Sequence, residues 1–220
     1  MPSNERASIK NMRKAEWIFF DLGSTLIDET QADLHRIRDM IAGTDVTEEM
    51  YRKKRLERIA KGLPGDQAAI AFFGLTKTPW HSEDETPYAD AEPILSELRR
   101  RGYRLGVIAN QNAGTEERLK NWGLFPFFDV VAASAELGVA KPDPAIFQWA
   151  LSKANCEPEN AVMVGDRLDN DIAPANRLGM YTVRLLRGIG AYHTQQSSDE
   201  YPDVAIHTLF ELYDLMRRND

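Results

Sequence analysis

The second half of the chain alternates between short apolar segments and helical segments, and this alternation restricts the folds available to it. From Ala91 onward, predicted helices alternate with predicted strands up to residue 185, and a last weak strand and a helix follow. The predicted strands span residues 103–109, 128–132, 161–164, 181–185 and 204–206. Parallel strands need a crossover connection, usually a helix, so the alternation predicts an α/β fold with a doubly wound parallel sheet. An earlier apolar run, Trp17 to Phe20, predicts one further buried strand.

A helical insertion is predicted between that first strand and the alternating region. Leu34, Ile37, Met40 and Ile41 recur at helical spacing, and two further helical segments follow before residue 74. The stretch from 76 to 93 contains three prolines and is interpreted as a linker back to the sheet. We therefore predict a core of residues 16–29 and 86–220 and a small helical cap of residues 30–85.

Composition limits the partners and the compartment. The chain has 220 residues, 43% of them apolar, and a formal net charge of -7, so a nucleic acid is not an expected partner. Its single cysteine, Cys156, fits a reducing compartment. The sequence shows no signal-peptide core and no membrane span, so we predict a cytoplasmic protein that does not bind membranes. The sequence leaves the oligomeric state open.

Charged residues follow the predicted strands where those strands end. Asp21 follows the first strand, Asp166 and Asp171 follow the strand at 161–164, and Lys141 comes after another strand. In open α/β sheets ligands bind beyond the carboxyl ends of the strands, so these side chains are expected to converge. Clustered carboxylates repel one another, and Mg²⁺ is bound by carboxylates together with substrate phosphate oxygens. The pattern predicts a Mg²⁺ site for a phosphorylated ligand.

Four segments resemble, in order, the four motifs of the haloacid dehalogenase-like (HAD) hydrolase superfamily. They are Asp21 to Leu26 (DLGSTL), Ile108 to Asn110 (IAN), Lys141 to Phe147 (KPDPAIF) and Val164 to Asp171 (VGDRLDND). The resemblance extends from about residue 17 to 185, apart from the insertion. It implies a Rossmann-like core with a helical cap inserted after the first strand, where residues 30–85 lie.

The resemblance also implies a role for each residue that matches a motif position. Asp21 would be the nucleophile that forms an aspartyl-phosphate, and Lys141 would neutralise it and bind the phosphoryl group. Asp21, Asp166, Asp171 and the backbone carbonyl of Gly23 would hold Mg²⁺, with Asp171 supporting the metal or orienting Lys141. The expected enzyme is a Mg²⁺-dependent phosphatase, a phosphoric monoester hydrolase acting on a small phosphorylated metabolite.

Two positions depart from the family pattern. Gly23 stands where phosphatases of the family carry a second aspartate, the general acid and base. Ala109 replaces the usual serine or threonine, which makes the next residue, Asn110, the candidate substrate-binding group there. General acid–base catalysis is worth ~10²–10⁴-fold, so turnover is expected to be slow unless another side chain carries the proton.

Three alternatives remain open at this point. A dehalogenase-like enzyme would use the same aspartate on carbon, and such enzymes also lack the second aspartate, but they need no metal. A phosphonate-cleaving enzyme would need a cap lysine, for which Lys53, Lys54 and Lys61 are candidates. A catalytically impaired protein could bind phosphorylated ligands without turning them over. The identity of the substrate cannot be derived from the sequence.

Overall fold

A computed structural model describes residues 15–61 and 63–217, and its centre is a parallel β-sheet. The strands are β1 (Trp17–Phe20), β2 (Ile27–Asp28), β3 (Thr86–Pro87), β4 (Arg104–Ala109), β5 (Val130–Ala133), β6 (Ala161–Gly165), β7 (Tyr181–Leu185) and β8 (Val204–Ile206). The six-stranded sheet has the order β5-β4-β1-β6-β7-β8, with parallel pairing throughout. All six carboxyl ends therefore lie along one edge, and the predicted α/β fold with a Rossmann-like core is confirmed.

Helices connect the strands and cover both faces of the sheet. They are α1 (Thr30–Ile41), α2 (Glu48–Ile59), α3 (Gly65–Phe73), α4 (Ala91–Arg100), α5 (Thr115–Asn121), α6 (Ser134–Leu137), α7 (Pro144–Ala154), α8 (Ala173–Leu178) and α9 (Glu211–Arg217). The start of helix α7 is determined by its local sequence. The Asp143 carboxylate accepts a hydrogen bond from the Ala145 amide at 2.9 Å, and Pro144 occupies the first turn, where no amide donor is needed.

The first strand explains why the apolar run before Asp21 is continuous. Ile18 and Phe20 belong to the hydrophobic cluster on one face of the sheet, whereas Trp17 and Phe19 belong to the cluster on the other. Successive side chains of a strand point to opposite faces, so a central strand covered on both sides needs apolar residues at every position. β1 is thereby fixed between β4 and β6, and Asp21 is the first residue beyond it.

Helices α1 to α3 form the predicted helical insertion. Ile37, Met40, Tyr51 and Ala69 make a separate small hydrophobic cluster. The sequence predicts the third helix of the insertion over residues 67–73, and in the structure α3 begins two residues earlier, at Gly65. The assignment of residues 30–85 as a cap domain stays a prediction. Residues 218–220 of the predicted core lie outside the described residues.

Two local elements of the structure were not predicted from the sequence. β2 and β3 form an antiparallel ribbon with Ile27 opposite Pro87, immediately after the first motif. Residues 168–172 form a wide helical turn that leads into α8. In the part of the chain that the structure describes, the helices lack the combination of length and apolarity needed to cross a bilayer.

Candidate active site

Three distant segments meet at the carboxyl edge of the sheet. Asp21 follows β1 directly, and its amide donates to the Val164 carbonyl at 2.9 Å. Asp171 lies on the turn after β6, and Lys141 lies between α6 and α7. The Lys141 ammonium donates to Oδ1 of Asp21 and to Oδ1 of Asp171, each at 2.6 Å. The predicted convergence of carboxylates and one amine on a single site is present in the structure.

Asp166 completes a buried group of three carboxylates. Carboxylate oxygens of Asp21, Asp166 and Asp171 lie within 4.8 Å of one another, and all three residues are buried. Burial, together with the charges of Asp171 and Asp21, raises the pKa of Asp166 well above its ordinary value. Within residues 15–61 and 63–217 the Asp166 carboxylate has no hydrogen-bond or ion-pair partner. Hard oxygen donors around an uncompensated buried charge fit a divalent cation such as Mg²⁺.

Lys141 stays charged although it is buried. Burial alone would lower the pKa of its ammonium group, but the adjacent carboxylates of Asp171 and Asp21 raise it above the ordinary value. Asp171 has both oxygens engaged, because its Oδ2 accepts the Arg167 amide at 2.9 Å. Burial raises the pKa of Asp171, whereas Lys141 opposes that change. These contacts make Asp171 a residue that orients Lys141.

Asn110 holds the backbone of Lys141. Its side-chain amide donates to the Lys141 carbonyl at 2.8 Å, and its Oδ1 accepts the Lys141 amide at 2.7 Å. Both polar atoms of the side chain are therefore used to fix the loop that carries the lysine. Asn110 itself is exposed at the end of β4, and the predicted contact with substrate stays a prediction.

Gly190 allows a close approach that the sequence analysis did not anticipate. A Cβ atom built on Gly190 would overlap the Asp166 carboxylate and lie 2.8 Å from the Asp166 carbonyl oxygen. The Gly190 carbonyl also accepts a hydrogen bond from Arg184 at 2.8 Å, which fixes this part of the loop. The Gly188-Ile189-Gly190 segment therefore leaves space for Asp166.

Glu29 is a site residue that the sequence analysis missed. A Cβ atom built on Gly23 would overlap the Glu29 carboxylate and lie 2.6 Å from its Cδ atom. Burial, followed by the charges of Asp21 and Glu85, raises the pKa of Glu29 to about 8. The neighbouring Asp28 instead accepts the Thr30 amide at 2.9 Å at the start of α1. The spacing of Glu29 from Gly23 gives no signal unless the β2–β3 ribbon is known.

A cleft of about 780 Å³ lies between the helical insertion and the sheet edge. Glu29 and Ser24 line it from the core, Arg52 and Lys77 add positive charge, and Arg167 is paired with Asp169. Lys53, Lys54 and Lys61 are not among the described residues that line this cleft.

Two further arginines of the cleft, Arg36 and Arg55, are paired with carboxylates. Arg36 binds Asp66, and Arg55 binds Asp33 through two hydrogen bonds of 2.6 Å. Their charges are therefore largely compensated within the helical insertion.

Comparisons with known proteins find relatives among the hydrolases. The model of the haloacid dehalogenase-like hydrolase family matches residues 15–179. The chain is 35% identical over 228 residues to a glyceraldehyde 3-phosphate phosphatase of Methanopyrus kandleri, covering 91% of this chain and 96% of that protein. It is 28% identical over 226 residues to a ribulose-1,5-bisphosphate 5-phosphatase of Halopiger xanaduensis, covering 98% and 92%.

A solved structure shares the fold. The HAD phosphatase from Thermococcus onnurineus superposes with a TM-score of 0.64 at 23% identity, covering 91% of this chain and 97% of that one. The chain belongs to the haloacid dehalogenase-like hydrolases, which confirms the resemblance found in the sequence motifs. It is a hydrolase, and the relatives named here fall in the phosphatase-type branch of the family.

Proposed function

We propose that this hydrolase is a Mg²⁺-dependent phosphatase that acts on a small phosphorylated metabolite through an aspartyl-phosphate on Asp21. The observation that carries the proposal is the buried group of Asp21, Asp166 and Asp171, in which Asp21 and Asp171 bind the Lys141 ammonium. A carboxylate nucleophile next to a fixed positive charge suits attack on a phosphoryl group, which carries negative charge on its oxygens. The two relatives, a glyceraldehyde 3-phosphate phosphatase and a ribulose-1,5-bisphosphate 5-phosphatase, support the substrate class.

Each residue has a distinct part in this reaction. An Asp21 oxygen attacks phosphorus, and the bond between phosphorus and the leaving oxygen breaks. Lys141 compensates the charge of Asp21 and of the bound phosphoryl oxygens, and Asn110 and Asp171 hold Lys141 in place. Water then attacks phosphorus, which releases inorganic phosphate and restores the Asp21 carboxylate.

The metal site follows from the same residues. Asp21, Asp166 and the Gly23 carbonyl would hold Mg²⁺, with Asp171 supporting the site. Bound Mg²⁺ supplies positive charge that offsets the charge on the phosphoryl oxygens during transfer. The uncompensated buried carboxylate of Asp166 is the feature of this chain that favours a cation at the site.

The helical insertion would act as the cap that selects the substrate. Its Arg52 and Lys77 line the same cleft as Ser24 and Glu29 of the core, so a ligand in the cleft would contact both parts. The cationic groups of Arg52 and Lys77 favour a substrate with a phosphate group and at least one further polar or anionic group. The three lysines considered for the phosphonate-cleaving alternative, Lys53, Lys54 and Lys61, do not line the cleft, and Lys77 is the lysine of the insertion that does so among the described residues.

The test measures phosphate release from a panel of small phosphate esters, with and without Mg²⁺. We expect release that needs Mg²⁺, that falls by at least ~10³-fold in Asp21→Asn because the nucleophile is removed, and that is retained in Glu92→Gln, an exposed control on α4. Release that is equal in wild type and Asp21→Asn would contradict the proposal. Halide release from 2-haloacids, in place of phosphate release, would indicate chemistry on carbon.

A further inference from the structure

We propose that Glu29 is the proton carrier of this active site, in place of the aspartate that Gly23 lacks. The inference rests on the proposed function and concerns how the leaving oxygen gains its proton. Glu29 lies eight residues after the nucleophile, whereas Gly23 lies two after it. In the folded chain the Glu29 carboxylate nevertheless occupies the space into which a side chain at position 23 would extend.

The β2–β3 ribbon brings Glu29 back to this position. After Asp21 the chain makes a tight turn in which the Ser24 amide donates to the Ile27 carbonyl at 2.8 Å. Gly23 and Ile27 then form an isolated bridge, and β2 ends at Asp28. Ser24 is in the left-handed region with φ of 54°, and its hydroxyl lies 3.5 Å from Oε2 of Glu29. The turn therefore directs the Glu29 carboxylate toward the backbone of Gly23.

A purely structural role does not account for the position of Glu29. It is the residue before α1, where a side chain commonly accepts an amide hydrogen bond from the first turn. The Glu29 side chain makes no such bond, and Asp28 accepts the Thr30 amide instead. Apart from the 3.5 Å contact with Ser24, no hydrogen bond or ion pair holds the Glu29 carboxylate within the described residues.

The surroundings of Glu29 suit proton transfer. It is half-buried and lines the cleft next to Ser24, so a substrate or water in the cleft can reach it. A general acid must lie within hydrogen-bond reach of the leaving oxygen once the substrate is bound, and the space beside Gly23 adjoins the nucleophile.

The two steps balance when Glu29 begins protonated. As Asp21 attacks phosphorus, the bond to the leaving oxygen breaks and the Glu29 proton moves to that oxygen, which gives the alcohol. The Glu29 carboxylate then takes a proton from the water that attacks the aspartyl-phosphate. The bond between phosphorus and Asp21 breaks, inorganic phosphate leaves, and Glu29 is protonated again.

The first experiment compares Glu29→Gln with wild type on two substrates, with Asp28→Asn as the matched control. On an alkyl phosphate we expect kcat to fall by ~10²-fold or more, because the leaving oxygen needs a proton. An aryl phosphate has an acidic leaving group that needs no proton, so phosphoryl transfer to Asp21 should still occur in Glu29→Gln. Hydrolysis of the aspartyl-phosphate should be slow, because the Glu29 carboxylate that takes a proton from water is missing. Intact mass spectrometry should then show Glu29→Gln carrying one phosphoryl group during turnover.

The second experiment moves the carboxylate to the position that the family normally uses. We expect Glu29→Ala to lose activity as Glu29→Gln does, and Gly23→Asp in the Glu29→Ala background to recover it to within ~10-fold of wild type. Glu29→Ala leaves room for the new side chain, which would otherwise overlap the Glu29 carboxylate. Recovery through a carboxylate on a different residue is not expected of a structural role.

The outcomes separate this inference from the proposed function. Wild-type turnover by Glu29→Gln, while Asp21→Asn remains inactive, would overturn the role of Glu29 and leave the phosphatase intact. Loss in Glu29→Ala with no recovery by Gly23→Asp, and no phosphorylated Glu29→Gln on the aryl phosphate, would also overturn it. Absence of Asp21-dependent phosphate release in wild type itself would contradict both proposals.

Discussion

The Lys141 ammonium lies 2.6 Å from Oδ1 of Asp21, although the two residues are 120 positions apart in the sequence. The same ammonium lies 2.6 Å from Oδ1 of Asp171. This one side chain therefore joins the first strand, the loop before α7 and the turn after β6. These contacts of Lys141 are expected to stabilise the fold and to support the reaction at Asp21, and both effects can be measured.

Lys141→Met should remove both activity and stability. The substitution leaves Asp21 and Asp171 buried without a cation, and breaking a buried ion pair costs ~3–5 kcal/mol. Urea unfolding without metal should show this loss, and phosphate release should disappear. Lys120→Met changes an exposed lysine and serves as the control. Unchanged urea unfolding in Lys141→Met would show that the pair does not stabilise the fold.

Asp166→Asn should make the metal-free protein more stable while it loses its response to Mg²⁺. Burial and two neighbouring carboxylates raise the pKa of Asp166, so its charge opposes folding when no cation is present. Removing one pKa unit of such repulsion is worth ~1.4 kcal/mol. Thermal unfolding with increasing Mg²⁺ should raise the wild-type Tm and leave that of Asp166→Asn unchanged. An equal rise in both proteins would place the metal elsewhere.

Gly190→Ala should weaken Mg²⁺ binding without unfolding the protein. The added methyl group would overlap the Asp166 carboxylate, so that carboxylate must move. Changes to residues that position metal ligands typically cost ~10–100-fold in metal affinity, and we expect the Mg²⁺ concentration for half-maximal activity to rise by this factor. Ala191→Ser changes the neighbouring exposed residue as a control. A Mg²⁺ requirement equal to wild type would disprove the role of this glycine.

Asp66 should make the stability of the helical insertion depend on pH. Burial raises the pKa of Asp66, but Arg36 and Arg55 outweigh burial and hold it below the ordinary value of 3.8. A carboxyl with a lowered folded-state pKa stabilises the fold above its unfolded pKa, and this contribution disappears as the pH falls through the folded-state value. Asp66→Asn should therefore be less stable than wild type at pH 7, and the difference should shrink below pH 4. A difference that is constant with pH would contradict this assignment.

Residues next to a strand end were predictable from the sequence, because parallel strands bring their carboxyl ends to one edge. Asp21 and Asp166 each follow a buried strand, and the order of the motifs places Lys141 beside them. The buried strand could be predicted from the apolar run Trp17 to Phe20, and the start of α7 from Asp143 followed by Pro144. In each case a local pattern determines the position of a side chain.

The positions of Glu29 and Gly190 could not be predicted, because they depend on contacts that no local pattern encodes. The carboxylate of Glu29 reaches Gly23 only because a two-residue ribbon reverses the chain, and β2 and β3 are too short to produce an alternating pattern. Gly190 matters through its contact with Asp166 in another loop. The rings of His35 and His81 stack with their centroids 3.6 Å apart. These two residues are far apart in the sequence, so their contact could not be predicted from it either.

Asp21 is proposed to receive the phosphoryl group, and locating that group on the protein tests this role most directly. The enzyme would be mixed with Mg²⁺ and an active phosphate ester, quenched in acid during turnover, digested and analysed by mass spectrometry. We predict one phosphoryl group on the peptide that contains Asp21, present in wild type and absent in Asp21→Asn. A phosphoryl group on another residue, or continued phosphate release by Asp21→Asn, would contradict the account.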